Sequence, residues 1–279
     1  MKYIIILADG MADEPIAQLG GMTPLEAAYT PTINSLCAMG RCGTLSTVPQ
    51  GYEPGSEVAH LSLLGYELPT VFEGRGSLEA ASMGIDIEPG EVAMRCNIIC
   101  IENDKIKNHS AGHITDAEAR ELITFLNERL ADDRVRFFPG VSYRHLLKIR
   151  GGDKRVHFTP PHDVPGTPFA DVMPYAECEE ARVTADLINR LILRSQEILP
   201  SHPVNLKRVA EGKDPANSIW PWSAGYKPAM PTLNETYGIR RGAVISAVDL
   251  IRGIGIYAGL EPIIVEGATG LFNTNYAGK

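Results

Sequence analysis

The most constraining feature of the chain is a continuous apolar run near its start, Tyr3 to Leu7, which is rich in isoleucine. An uninterrupted run of this kind is typical of a strand that is buried on both faces of a parallel sheet. Asp9 follows directly beyond the carboxyl end of this run. Ligands bind at that edge of open α/β sheets, so the position of Asp9 favours function over packing.

Two helix starts follow the apolar run. Thr23-Pro24-Leu25-Glu26 combines a cap, a first-turn proline and a reciprocal glutamate, and Thr30-Pro31 repeats the cap and the proline. We expect the second helix to end at Gly40.

The last hundred residues carry a second set of alternating signals. Ser218 to Trp222, Gly242 to Val248 and Pro262 to Val265 are predicted strands, and a helix is expected through Ile251 and Ile254. Strand, helix and strand in this order indicate a parallel crossover that rejoins the sheet begun by Tyr3 to Leu7. The predicted fold class is therefore α/β, with a mostly parallel sheet flanked by helices.

The middle of the chain has a different pattern. A strand is expected from Val92 to Ile101, a turn at Asn103-Asp104, a capped helix from Thr115 and a strand pair between 135 and 149. A proline-rich loop over 160–168 marks a domain edge. We predict a smaller inserted α+β domain at 91–178, with 1–90 and 179–279 forming the sheet domain.

Charge and cysteine content limit the partners and the compartment. The formal net charge of −8 argues against a broad nucleic-acid surface, which needs clustered Lys and Arg. Five cysteines without a Cys-x-x-Cys pair favour reduced thiols in the cytoplasm. No run approaches the length of a membrane span. We therefore expect a cytoplasmic protein that binds neither nucleic acid nor membrane.

Gly55-Ser56-Glu57 is the strongest candidate for chemistry. A serine hydroxyl needs a base, a lowered pKa or a metal ion before it attacks phosphorus, and metal activation with Asp9 is the favoured explanation. The same tripeptide also fits an ordinary helix cap, and Asp9 also fits a loop cap after a strand. His60 lies on the same helical face as Ser56 and fits a packing role.

Basic residues supply candidates for binding an anion. Arg75 lies between two glycines, which allows close approach of the backbone to an anion but equally fits a turn. Scattered Arg and His side chains are usually surface groups. The further candidates of this kind are Arg95, Arg144, His109, His113, His162 and His202.

Several segments, in their order along the chain, resemble one enzyme family. They are Asp9 to Asp13, Gly21 to Ala28, Pro54 to Leu61 with Leu64 to Tyr66, Gly74 to Gly76, His202 to Asn205, Pro215 to Asn217, Arg252 to Gly255, and Gly267 to Gly270. Together they resemble the cofactor-independent phosphoglycerate mutases of the archaeal type, which belong to the alkaline phosphatase superfamily.

The resemblance implies a reaction and a site. A serine matching Ser56 accepts the phosphoryl group and returns it to the other hydroxyl of glycerate, which interconverts 3-phosphoglycerate and 2-phosphoglycerate in glycolysis and gluconeogenesis. Asp9 and Ser56 match ligands of a pair of divalent ions, and the ions implied are manganese, zinc, cobalt or magnesium. Substrate binding is assigned to Arg75, His113, Arg144 and His162.

The family resemblance also implies that relatives continue beyond Lys279 with further metal ligands. We therefore expect this chain to bind metal weakly or not at all, to be inactive alone, and to associate with itself through exposed apolar surface. Two alternatives are a related metal-dependent phosphohydrolase or phosphotransferase of the same superfamily, and a non-catalytic fragment.

Overall fold

The computed structural model describes residues 2–279, which form two units, 2–46 and 47–279. Three short 3-10 helices lie at Ala17–Leu19, Phe169–Val172 and Glu179–Ala181. The α-helices are α1 (Pro24–Ala27), α2 (Pro31–Met39), α3 (Ser56–Leu63), α4 (Leu68–Val71), α5 (Arg75–Ser82), α6 (Asp116–Leu130), α7 (Arg182–Ile198), α8 (Pro203–Ala210), α9 (Leu233–Tyr237) and α10 (Asp249–Tyr257). The strands are β1 (Glu91–Glu102), β2 (Lys105–Asn108), β3 (Val135–Val141), β4 (Arg144–Arg150), β5 (Val156–His157), β6 (Tyr175–Ala176), β7 (Ser218–Gly225), β8 (Ala243–Val244) and β9 (Glu261–Pro262). Among residues 2–279, no helix has both the length and the apolar content that crossing a bilayer requires.

The first unit contains α1 and α2. Thr23 and Glu26 form the expected capping box at α1, and α2 ends at Gly40 as predicted. The prediction of a buried strand at Tyr3 to Leu7 is wrong, because this segment pairs with no strand and its side chains are 44–84% exposed. Apolar content indicates burial only where a neighbouring strand is available, and this unit contains none among its described residues.

The second unit is built on a five-stranded antiparallel sheet. Its order is β2-β1-β4-β3, and β7 also pairs with β1. Residues 93–97 of β1 pair with β4 on one edge and with β7 on the other. The turn between β1 and β2 has positive φ at Asn103 (51°) and Asp104 (59°), as a tight two-residue hairpin requires.

The two faces of this sheet differ in chemistry. On one face, Val92, Met94, Cys96 and Ile98 of β1 are fully buried in the main core, to which α6 and α7 contribute. On the other face, a smaller cluster with Ala80 of α5 covers only one end of the sheet. The alternate positions of β1 at this face include two polar side chains, which belong to the site described below.

A separate packing layer surrounds α5 and α10. Apolar side chains of α3, α5 and α10 form a second core, which contains Leu61, Leu78 and Ile254. The two ends of α10 connect to β8 and β9, which pair in parallel. The predicted strand, helix and strand near the end of the chain are therefore present, and the two strands are parallel. These strands form a two-stranded sheet of their own, so the prediction that they rejoin the sheet of Tyr3 to Leu7 is not confirmed.

The α/β class is confirmed, but the prediction of a mostly parallel sheet is not, because the five-stranded sheet is antiparallel. The placement of Ser218 to Trp222 is also wrong. This strand does not rejoin Tyr3 to Leu7; it pairs antiparallel with β1. The reason is that α7 packs on the same core as the sheet and brings the chain back to the exposed edge of β1. The domain limits at 90/91 and 178/179 stay predictions.

Gly253 allows α10 to approach α5 closely. A Cβ atom at this position would overlap the carbonyl oxygen of Leu78. Replacement of Gly by Ala in a helix normally stabilises it by about 1 kcal/mol, but here we expect Gly253→Ala to destabilise the fold by about 1–3 kcal/mol. Chemical denaturation measures this change. Gly270→Ala, where the added methyl meets open space, is the control and should have little effect.

Burial of His145 makes the free energy of unfolding depend on pH. It is 1% exposed, its Nδ1 accepts a hydrogen bond from the Gly140 amide at 3.1 Å, and burial with nearby Arg95 lowers its pKa from 6.5 to about 3. Protons therefore favour the unfolded chain, and the free energy of unfolding should fall by up to about 1.4 kcal/mol per pH unit as the pH drops from 6.5 towards 3. His145→Asn keeps an acceptor but does not titrate, so it should remove this part of the slope in denaturation curves. Exposed His157→Asn should leave the slope unchanged.

Candidate active site

Ser56 is the first residue of α3. Gly55, in extended conformation, precedes it as the N-cap, and Ser56 is partly exposed. Its carbonyl oxygen lies 2.6 Å from His60 Nδ1. A carbonyl oxygen can only accept, so His60 Nδ1 carries the proton and donates this hydrogen bond. The hydroxyl therefore lies at the amino end of a helix, where free amides and the helix dipole favour an anion.

An ion pair links this helix start to the start of α5. Glu57 Oε2 accepts a hydrogen bond from Arg75 Nη2 at 3.1 Å. The Arg75 amide donates to Ser223 Oγ at 2.9 Å, which ties the start of α5 to β7. Gly74 is needed at this junction, since it has φ of 117° and a Cβ there would lie 2.6 Å from the carbonyl oxygen of Ala224.

Trp222 on β7 is the centre of a cationic group. The guanidinium carbons of Arg75 and Arg95 lie 5.5 and 5.4 Å from its ring centroid, and the His162 ring meets it edge-on at 5.3 Å. An indole ring attracts cations through its quadrupole. One aromatic side chain therefore holds two guanidinium groups that would otherwise repel each other.

Arg95 is anchored by a buried carboxylate. Its Nη1 donates to Glu79 Oε1 at 2.5 Å, and each side chain is 10% exposed. Burial raises the pKa of Glu79 although Arg95 opposes that shift. Asn97, two residues along β1, accepts hydrogen bonds from Arg95 Nε and Trp222 Nε1 at 3.1 and 3.2 Å.

Three rings extend the group towards β4. His109 contacts His162 and Tyr143, with ring centroids 5.9 and 5.5 Å apart, and Arg144 lies over the Tyr143 ring at 5.8 Å. Burial and the nearby His162, His113 and Arg95 lower the pKa of His109. His109 is therefore mainly neutral at pH 7.

The turn that carries the histidines is tightly held. Ala111, Gly112 and His113 have φ of 46°, 63° and 55°, so three successive residues are left-handed. Asn108 Oδ1 accepts from the Ser110 and Gly112 amides at 3.1 and 2.9 Å. Arg208, 2% exposed, donates to the Ala111 carbonyl at 2.5 Å.

Two guanidinium donors of this group have no protein partner. Arg75 Nε and Arg144 Nε are buried and make no hydrogen bond to any described residue. A buried unpaired donor costs free energy, and a bound anion would satisfy it. The arrangement therefore suits a small anion that carries more than one charge.

The structure brings some of the sequence candidates together and not others. Arg75 and His162 contact Trp222 directly, and Arg144 joins the group through Tyr143 and His109. His113 makes no ring contact with the described residues of this group, but its charge contributes to the lowered pKa of His109. His202 lies elsewhere, since it packs on Phe125 and caps α8. Asp9 belongs to the first unit. The functional roles assigned to these residues stay predictions.

Sequence reasoning missed the residues that connect the candidates. They are Glu57, Glu79, Asn97, Tyr143 and Trp222. A usable signal existed in β1, where Arg95 and Asn97 occupy alternate positions of an otherwise apolar strand. That spacing places both side chains on one face of the sheet.

The described residues do not form a metal centre by themselves. Residues 2–279 contain no group of three or more His, Cys, Asp or Glu side chains that could hold a metal ion. A divalent ion pair needs several such ligands. The metal-ligand roles of Asp9 and Ser56 therefore stay predictions.

Comparison with known proteins identifies the family. A family model described as 2,3-bisphosphoglycerate-independent phosphoglycerate mutase matches residues 37–205. The curated protein of that name from Methanosarcina acetivorans is 50% identical over 281 residues, which cover 100% of this chain and 69% of the relative. The chain thus spans about two thirds of the length of this relative.

Solved structures agree with this match. The PH0037 protein from Pyrococcus horikoshii superimposes with a TM-score of 0.74 at 27% identity, over 96% of this chain and 62% of that one. The cofactor-independent phosphoglycerate mutase from Thermoplasma acidophilum gives a TM-score of 0.58 at 28% identity, over 92% and 68%.

The α/β fold and these matches place the chain among isomerases that act on a small phosphorylated compound. The chain belongs to the family of 2,3-bisphosphoglycerate-independent phosphoglycerate mutases, which, as the name states, act without bisphosphoglycerate as a cofactor. The resemblance seen in the sequence is confirmed.

The lowered pKa of His109 predicts how anion binding depends on pH. A bound anion stabilises the protonated ring, so 3-phosphoglycerate should raise the His109 pKa, and affinity should increase as the pH falls through that raised value. Proton NMR of the imidazole signals with and without 3-phosphoglycerate measures this shift, and the signal that is missing in His109→Asn identifies the residue. The His157 signal should not respond. A His109 titration that ligand leaves unchanged would contradict the expectation.

Proposed function

We propose that the protein interconverts 3-phosphoglycerate and 2-phosphoglycerate through a phosphoserine at Ser56. One observation carries this proposal: a group of arginines with unpaired buried donors is joined, through the Arg75–Glu57 ion pair, to the amino end of the helix that begins at Ser56. Anion binding and the nucleophile thus meet at one place within the second unit.

The charge of the group matches the proposed substrate. Phosphoglycerate carries a phosphate and a carboxylate, and guanidinium groups bind both through paired hydrogen bonds. Glu57 and Glu79 offset the charge of Arg75 and Arg95 in the free protein. Arg144 and the neutral His109 leave capacity for added negative charge. We assign substrate binding to Arg75, His113, Arg144 and His162.

The phosphoryl transfer itself is proposed as two displacements. The Ser56 oxygen forms a bond to phosphorus while the bond from phosphorus to the glycerate oxygen breaks, and the serine proton passes to the released hydroxyl. In the second step the oxygen of the other glycerate hydroxyl forms a bond to phosphorus while the bond from phosphorus to the Ser56 oxygen breaks, and the proton of that hydroxyl passes to the Ser56 oxygen. The amides at the start of α3 stabilise the phosphoryl oxygens throughout.

The family resemblance adds two divalent ions and an alkaline-phosphatase-like core to this proposal. Asp9 and Ser56 are the proposed ligands from this chain. The ligand groups within residues 2–279 do not fit an ion pair, so we derive no step through a metal ion.

Two variants test the nucleophile and the binding group separately. In the full-length protein, Ser56→Ala should abolish formation of 2-phosphoglycerate and of the phosphoserine detected by mass spectrometry, while calorimetry still detects binding of 3-phosphoglycerate. Arg144→Gln should weaken that binding by about 10- to 100-fold, because it removes a charged donor.

The controls decide between related activities. Ser62→Ala, on the same helix, should retain all properties of the unsubstituted protein. Release of inorganic phosphate in place of 2-phosphoglycerate would indicate a phosphohydrolase. Formation of 2-phosphoglycerate by Ser56→Ala would contradict the proposal.

A further inference from the structure

We infer that Asn97 is a positioning residue, which fixes the Arg95 and Trp222 side chains and the His109 turn in one arrangement for the substrate. This inference rests on the proposed function. It assigns Asn97 no contact with the reacting atoms, because the residue is 1% exposed.

Every polar atom of the Asn97 amide has a partner. Its Oδ1 accepts from Arg95 Nε at 3.1 Å and from Trp222 Nε1 at 3.2 Å. Its Nδ2 donates to the His109 carbonyl oxygen at 3.2 Å. The N–H groups of Arg95 and Trp222 can only donate, and the His109 carbonyl can only accept. These partners therefore fix which end of the Asn97 amide is the oxygen and which is the nitrogen.

The three groups held by Asn97 come from different parts of the chain. Arg95 lies on β1, Trp222 on β7 and His109 in the turn after β2. Their side chains make few other directional contacts with one another: Arg95 stacks on Trp222, and His109 reaches Trp222 only through His162. Asn97 is therefore the one described side chain that hydrogen-bonds to all three.

The location of Asn97 suits this role. It lies where β1 is paired on both edges, opposite Arg144 on β4 and Trp220 on β7. The backbone is rigid at such a position, and a short side chain with two torsions transmits that rigidity. Arg95 is further oriented by Glu79, so the guanidinium is held from two sides.

Replacement of Asn97 should weaken ligand binding because the side chains that it holds are no longer fixed in position. Arg75 and His162, which are proposed to bind the substrate, lie against the Trp222 ring that Asn97 holds. If that ring can move, these two side chains must be ordered when the anion binds, and the ordering lowers the affinity. We expect Asn97→Leu, which is similar in volume, to weaken binding of 3-phosphoglycerate by about 10- to 100-fold. Asn97→Asp keeps the acceptor for Arg95 and Trp222 but places an oxygen against the His109 carbonyl.

The experiment combines calorimetry with NMR on the whole chain. The Arg95 Nε–H and Trp222 Nε1–H signals should shift in Asn97→Leu and remain near their original positions in Asn97→Asp, whereas the His109 ring signals should shift in both. Affinity should follow the order unsubstituted, Asp, Leu. Asn217→Leu is the matched control, because Asn217 also bonds to β1 but only to the backbone of Ile101, at 2.8 and 2.7 Å.

The outcomes separate positioning from simple support of the fold. Asn217→Leu should lower thermal stability and leave the affinity of the folded protein unchanged. The inference is wrong if Asn97→Leu behaves in the same way, or if its Arg95 and Trp222 signals do not move. If Asn97→Leu does not fold, shifted His109 signals with weakened binding in Asn97→Asp still support the inference, and unchanged ones overturn it. Failure of the unsubstituted chain to bind 3-phosphoglycerate contradicts the proposed function, whereas the NMR signals test positioning without ligand.

Discussion

Pairing of β1 on both of its edges is the constraint on which the second unit depends. A strand held by β4 and β7 over residues 93–97 cannot shift its register without moving every side chain to the opposite face. Val92, Met94 and Cys96 therefore always face the apolar core, and Arg95 and Asn97 always face the polar side. The same pairing that stabilises the core thus aligns the candidate active site.

The polar face of the sheet buries charged side chains, which costs free energy unless partners offset the charge. Isolated buried guanidinium groups are costly, and here carboxylates and an aromatic ring offset that cost. Glu79 pairs with Arg95, Glu57 pairs with Arg75, and Trp222 lies against both arginines. The compensation is incomplete, since Arg75 Nε stays unpaired. That unpaired donor is the basis for the proposed binding of an anion.

Local signals in the sequence predicted much of the fold, and nonlocal pairing explains the failures. The capping box at Thr115 and the turn at Asn103-Asp104 depend on a few neighbouring residues, and both were predicted correctly. The partner of β7 depends on contacts between residues far apart, such as Trp222 and Asn97, which are 125 positions apart. Hydrophobic pattern indicates that a segment is a strand but does not specify its neighbour. For the same reason the sequence supplied candidate basic residues but not the side chains that join them.

Strained backbone, in the form of positive φ at non-glycine residues, is concentrated next to the candidate site. Of the non-glycine residues with positive φ in the described chain, Asn103 and Asp104 form a hairpin turn, and the other four are Ala111, His113, Ser142 and Ser223. Each left-handed non-glycine residue costs about 1–2 kcal/mol. The four adjoin the site: two form the histidine turn, Ser142 precedes Tyr143, and Ser223 follows Trp222 and accepts from the Arg75 amide. Such strain persists only where surrounding bonds exceed its cost, and Arg208 and Ser223 supply those bonds here. The strained backbone therefore occurs mainly where side chains of the candidate site are held in fixed directions.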